Sequence, residues 1–124
     1  MTSRGYRDLV VWQQAMDLVV ISHRIADSLP ATQRFALADQ IRRAAISIPA
    51  NIAEGYTRIH RGDYLRHLSI ARASAGELDT HLLIAVRLGY GEPDLRDRAL
   101  ALTDRVSRLL VGLTRSLGGR KTGA

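Results

Sequence analysis

Gln40-Ile41-Arg42-Arg43-Ala44-Ala45-Ile46-Ser47-Ile48-Pro49-Ala50-Asn51-Ile52-Ala53-Glu54-Gly55 returns its apolar residues at three- and four-residue steps, the period of a helix. Advancing roughly 100° per residue, Leu37, Ile41, Ala44, Ala45, Ile48 and Ile52 gather on one face, which must be buried. Ile46, Pro49 and Ala53 form a second apolar strip beside Arg42, while Arg43, Ser47 and Glu54 lie on the wet side. Pro49 has no N–H and crowds the carbonyl of the preceding turn. Because the apolar period runs on to Ile52, a kink is expected there and not a stop. Gly55 is the expected C-terminal cap and Thr32 the expected N-cap.

The flanking sequence supplies three more helices. From about Arg7 to Ser28, Leu9, Trp12, Met16, Val19 and Ala26 define one face, and Val11, Ala15, Leu18, Ile25 and Leu29 the adjoining one. Leu29-Pro30 ends that helix, because the residue before proline avoids the helical region. After a short basic connection, Tyr56 to Gly62, with Asp63 as a cap, a seven-residue repeat follows. It runs through Tyr64, Leu68, Ala71, Ala75, Leu78, Leu82 and Ala85, the spacing of left-handed bundle packing. Ala71, Ala73, Ser74, Ala75 and Gly76 keep the middle of this helix thin enough for a close neighbour. Gly89-Tyr90-Gly91 ends it. Glu92-Pro93 opens a last helix striped by Leu95, Leu102, Val106, Leu109, Leu113 and Leu117. The expected architecture is all-α: one up-down-up-down four-helix bundle spanning residues 1–124, ordered over about 6–117, with a short lead at 1–5 and a frayed tail at 118–124.

Composition narrows the function classes. Aromatics at 5% and three prolines in 124 residues favour packed helices over a sandwich or barrel. The absence of cysteine excludes disulfides and thiolate metal sites and suits a reducing cytoplasm. Gln13, Gln14 and Asp17 break any secretion signal, and the longest strictly apolar run, Leu82 to Val86, is far too short to cross a bilayer; a cytoplasmic protein without membrane attachment is expected.

Catalytic and metal-binding patterns are missing. Asp63 with His67, and Glu77 with His81, are carboxylate–histidine pairs four residues apart, but they lie too far apart along one helix to share an ion. The glutamate-x-x-histidine signature of di-iron bundles is absent, so solvated ion pairs are expected. Ser47, Ser69 and Ser74 lack a nucleophile-elbow setting, and no glycine loop cradles phosphate. Asn51 and Glu54 are best explained as hydrogen-bonding to the backbone freed by Pro49. No enzyme activity and no cofactor are expected.

Charge points elsewhere. The net charge is +6, and all basic residues but Lys121 are arginine, whose planar fork suits phosphate. Residues 1–30 carry three basic and three acidic groups and residues 63–90 three of each. Residues 31–62 carry five and two, net +3, and residues 91–124 seven and four, net +3. If these two positive segments are neighbours, they form one basic surface lined by Arg42, Arg43, Arg58, Arg61, Arg105 and Arg108, with Tyr56 placed to stack on a base. A basic surface that only keeps the protein soluble is the competing reading. The doubled apolar faces of the first two helices imply self-association through Val11, Leu18, Ile46 and Ala53, unless a broad monomer core absorbs them.

Tyr6-Arg7-Asp8-Leu9-Val10-Val11-Trp12-Gln13, the run Gln40 to Tyr56, and Glu77-Leu78-Asp79-Thr80-His81-Leu82 resemble the four-helix-bundle proteins encoded in intervening sequences of bacterial 23S ribosomal RNA genes. That family includes the accessory variability proteins of diversity-generating retroelements. The resemblance covers about residues 6–90 in register and implies a ring-like homopentamer with a basic surface. In the retroelement members, that assembly binds a reverse transcriptase and nucleic acid. Arg42, Arg43 and Arg58 sit where the family places arginines. The chain departs from the pattern at Ala36, where a glycine is expected, and at Ile59-His60-Arg61-Gly62, where a more lysine-rich segment is expected. The expected function is a non-enzymatic homo-oligomer that binds RNA or DNA as an accessory to a ribonucleoprotein or reverse transcriptase. The alternative is a protein–protein scaffold with no nucleic-acid role.

Overall fold

The computed structural model describes residues 5–118. Four helices fold back on one another: α1 (Val10–Ser28), α2 (Asp39–Thr57), α3 (Arg61–Leu88) and α4 (Pro93–Ser116). The packed pairs are α1 with α2, α2 with α3, α3 with α4 and α4 with α1, so α2 and α4 lie across the diagonal. No strand occurs among the described residues. Residues 1–4 of the expected lead (1–5) and 119–124 of the expected tail (118–124) fall outside them. Gly5 belongs to an ordered 3-10 turn, Gly5–Asp8, and Gly118 donates its N–H to Arg115 O.

The quoted stretch is unbroken helix through Pro49, and Ile41, Ala44, Ala45, Ile48 and Ile52 are all buried as their period requires. The beginning of α2 differs from expectation. Thr32 caps nothing; the chain leaves Pro30 through a 3-10 turn, Ala31–Gln33, and a π-helical turn, Arg34–Ala38, before settling into α2. Gly55 is likewise not a cap. It sits inside the last turns of α2, buried, where a Cβ would lie 2.7 Å from His67 Cβ and 3.2 Å from the Tyr64 carbonyl oxygen. A close helix crossing demands a residue with no side chain there.

The α2–α3 contact is the most extensive in the bundle. Ala44, Ala45 and Gly55 on α2 and Ala71, Ser74 and Ala75 on α3 are all buried, which keeps both helices thin. On α4 the core register is Ala99, Thr103, Val106 and Leu110; Leu95, Leu102, Leu109, Leu113 and Leu117 are only partly covered. The two ends of α3 and α4 behave as the glycine and proline chemistry dictates. Gly89 adopts φ 72°, the left-handed region glycine tolerates, and the Glu92 side chain accepts the Leu95 N–H at 2.9 Å.

One end of the bundle is sealed by aromatic rings packed edge-on. Trp12 meets Tyr6, Tyr6 meets Tyr56, and Tyr56 meets Tyr64, at centroid distances of 5.4, 6.5 and 5.8 Å. Burial, and then the proximity of Tyr56, push the Tyr64 phenol above its ordinary value of 10.0. A folded-state pKa raised above the unfolded value adds stability that is fully present below pH 10 and lost as pH rises through the folded value. Tyr64→Phe removes that loss. Urea midpoints of the two proteins should match near pH 8, and the variant should become the more stable as pH passes about 10. Parallel decline of both proteins in that range would show that Tyr64 carries no such linkage.

Candidate nucleic-acid interface

The diagonal placement of α2 and α4 separates the two positive segments, so the single basic surface expected from their charge does not form along the bundle. They approach one another at one end, where the Arg61 guanidinium reaches Gly118 at the close of α4. Several of the expected phosphate contacts are also already neutralised. Arg42 is bound to Asp27 at 2.7 Å across α1 and α2, Arg58 to Glu54 at 2.6 Å, and Arg108 to Asp104 at 3.0 Å. The Arg58 hydrogen bond is the first cause holding the Glu54 carboxyl below the usual carboxylate range. Arg43 is exposed and has no ion-pair partner among the described residues.

Arginine does converge at a place where no single sequence segment showed it. A surface groove of about 620 Å³ between α1 and α4 is lined by Arg24, Arg98 and Arg105, with Asp17 the sole carboxylate and Val20, Ile21, Ala101 and Leu102 as its floor. Arg105 donates from Nε to the neutral Gln14 Oε1 at 3.1 Å and so keeps its charge uncompensated. Arg24 and Arg98 have no ion-pair partner among the described residues. Arg24 was overlooked because residues 1–30 sum to zero charge. The usable signal was spacing: Arg98 and Arg105 are seven residues apart and therefore share one face of α4.

Ser47 and Asn51 of the quoted stretch are spent inside the fold. Asn51 Nδ2 donates to Ser47 O at 2.9 Å and to Ser47 Oγ at 3.1 Å, and the Ser47 and Ser74 hydroxyls are 2.7 Å apart. Asn51 Oδ1 is then the acceptor for His67 Nδ1 at 2.9 Å, which places the histidine proton on Nδ1. Nε2 is left to accept from the Arg66 guanidinium at 3.4 Å. His67 is only 6% exposed and does not form the solvated pair with Asp63 expected from its spacing. Glu77 and His81 do meet, at 3.4 Å. Tyr56, expected to stack on a base, is held between the rings of Tyr6 and Tyr64.

The residues expected at a subunit interface divide. Val11 and Leu18 are sealed in the protomer core. Ile46 is 49% exposed and Ala53 half-buried, so only the α2 part of that set is open to another chain. No group of three or more histidine, cysteine, aspartate or glutamate residues among the described residues is placed to hold a metal ion. No described helix is long and apolar enough to cross a membrane.

These features define a four-helix bundle whose polar interior is structural and whose distinctive exterior is cationic. The profile of the 23S rRNA-intervening sequence protein family matches residues 7–112, and the chain belongs to that family. It is similar to a crystal structure of a protein of unknown function from the S23 ribosomal protein family of Bacteroides thetaiotaomicron. The two share 26% identity and a TM-score of 0.78, over 84% of this chain and 97% of the other. No curated protein matches the sequence.

Proposed function

We propose that this protein is a non-enzymatic, homo-oligomeric bundle of the cytoplasm that binds RNA or another structured nucleic acid as an accessory to a ribonucleoprotein or reverse transcriptase. The observation carrying the reading is the α1–α4 groove, where Arg24, Arg98 and Arg105 stand together facing a single carboxylate. Three permanent charges on two packed helices line one groove that phosphates can enter, which paired arginines such as Arg42 and Arg58 do not offer. Self-association draws support from apolar side chains left in water, among them Ile46 on α2 and Ile70 and Ile84 on α3. The family resemblance favours a pentamer.

The test is a titration of labelled RNA at several salt concentrations. Affinity should fall steeply as salt rises. Replacing Arg24, Arg98 and Arg105 together by alanine should flatten the slope of log K against log salt by about 2–3 and weaken binding to all sequences alike. Arg42→Ala with Arg58→Ala should change the slope far less. Binding that is absent at low salt, or that carries no salt dependence, would overturn the proposal. Recovery of an acidic protein from nuclease-treated lysate, with no RNA affinity, would favour a scaffold instead.

A further inference from the structure

Phe35 is 87% exposed, and no tyrosine or tryptophan among the described residues is comparably open to water. Leaving a phenyl ring in solvent forgoes the burial that places the other aromatics: Trp12, Tyr6, Tyr56 and Tyr64 pack on one another, and Tyr90 is half-covered. The ring stands on the π-helical turn Arg34–Ala38, a backbone irregularity of the sort that accompanies functional positions. The guanidinium carbon of Arg34 lies 5.9 Å from its centroid, over one face, leaving the other face free. Arg34 also lines a cavity of about 440 Å³ between the end of α1 and the start of α2, together with Arg42, Asp27 and Pro30. In that cavity Arg42 is neutralised by Asp27, and Arg34 is the charge left over.

A free aromatic face, a cation on the opposite face and a polar cavity alongside match the needs of one nucleotide. We infer that Phe35 is a stacking platform for an unpaired base, with Arg34 and the adjoining cavity taking its phosphate. The inference rests on the nucleic-acid reading above and adds to it a preference for single-stranded segments, because a base inside a duplex has no face to offer. It also reassigns the stacking role from Tyr56, whose ring is occupied, to the opposite end of α2.

Stacking and phosphate contact leave different signatures, which makes the inference separable. A labelled uridine-rich single strand and a duplex of equal length are titrated against the wild-type protein, Phe35→Ala, Phe35→Trp and Arg34→Ala at several salt concentrations, with the mass of each protein followed by sedimentation. Phe35→Ala should weaken single-strand binding about tenfold with the salt slope unchanged, and Phe35→Trp should retain it. Duplex affinity should be unaffected, and Arg34→Ala should lower the single-strand slope by about one contact. Unchanged affinity in Phe35→Ala, equal loss on the duplex, or loss accompanied by a change in mass would overturn the inference while leaving the nucleic-acid reading intact; the last outcome would make Phe35 a subunit contact. Wild-type protein that binds neither probe would overturn both.

Discussion

Gly55→Ala is expected to cost about 2 kcal/mol or more, although alanine is the better helix former by about 1 kcal/mol. The added Cβ would stand 2.7 Å from His67 Cβ, 3.1 Å from Tyr64 Cδ1 and 3.2 Å from the Tyr64 carbonyl oxygen. Of these, only the Tyr64 ring can swing aside; the other two are fixed to the α3 backbone. Relief therefore requires α2 and α3 to separate, and that disturbs the widest contact of the bundle and the hydrogen bonds that cross it. Gly112→Ala and Gly76→Ala are the controls, since nothing lies within 4 Å of a Cβ at either position inside its helix. Each should gain up to about 1 kcal/mol from propensity alone. Urea unfolding of the three variants gives the answer through the sign: destabilisation at position 55 and stabilisation at 76 and 112. A stabilised Gly55→Ala would mean the crossing is not as close as described.

Asn51→Ala should cost about 2–4 kcal/mol, again with no exposed contact removed. The substitution strips the acceptor from the Nδ1–H of the buried His67, while Ser47 keeps its Ser74 partner. The penalty belongs to the groups left behind, so it should shrink when the histidine is replaced too. Adding His67→Phe to Asn51→Ala should cost less than the sum of the two single losses, by about 1–2 kcal/mol. Strict additivity would show that the asparagine and histidine do not stabilise one another.

These two variants show where the sequence was legible. The apolar period of α2 and α3, the Leu29-Pro30 stop, Gly89 and the Glu92-Pro93 start each act locally, through backbone geometry or a single capping bond, and each stands where it was expected. On α4, by contrast, the buried register is Ala99, Thr103, Val106 and Leu110, and of the expected stripe only Val106 is sealed. Gly55, Asn51 and His67 act through a partner on another helix, and no local rule distinguishes a capping glycine from one at a crossing. Val11 and Leu18 lie buried within the protomer for a related reason: a helix with two packed neighbours buries a wider arc than one stripe. The π-helical turn at Arg34–Ala38 had no sequence signal at all, since its residues are ordinary helix formers. The arginine groove was hidden because it is assembled from the first and last helices, far apart in sequence, one of them in a segment of zero net charge.

The diagonal separation of α2 from α4 has an electrostatic consequence. Helices with their side chains are about 10 Å thick, so cationic groups on opposite flanks of the bundle stand roughly 20 Å apart. The screening length at physiological ionic strength is about 8 Å. Arg43 on α2 and the Arg98 and Arg105 pair on α4, carried by helices across the diagonal, are therefore largely screened from each other. An anion that quenches one flank leaves the potential over the other almost undiminished. Each protomer is thus electrostatically two-sided: the charge on α2 and the charge on α4 respond to salt and to small anions as separate patches.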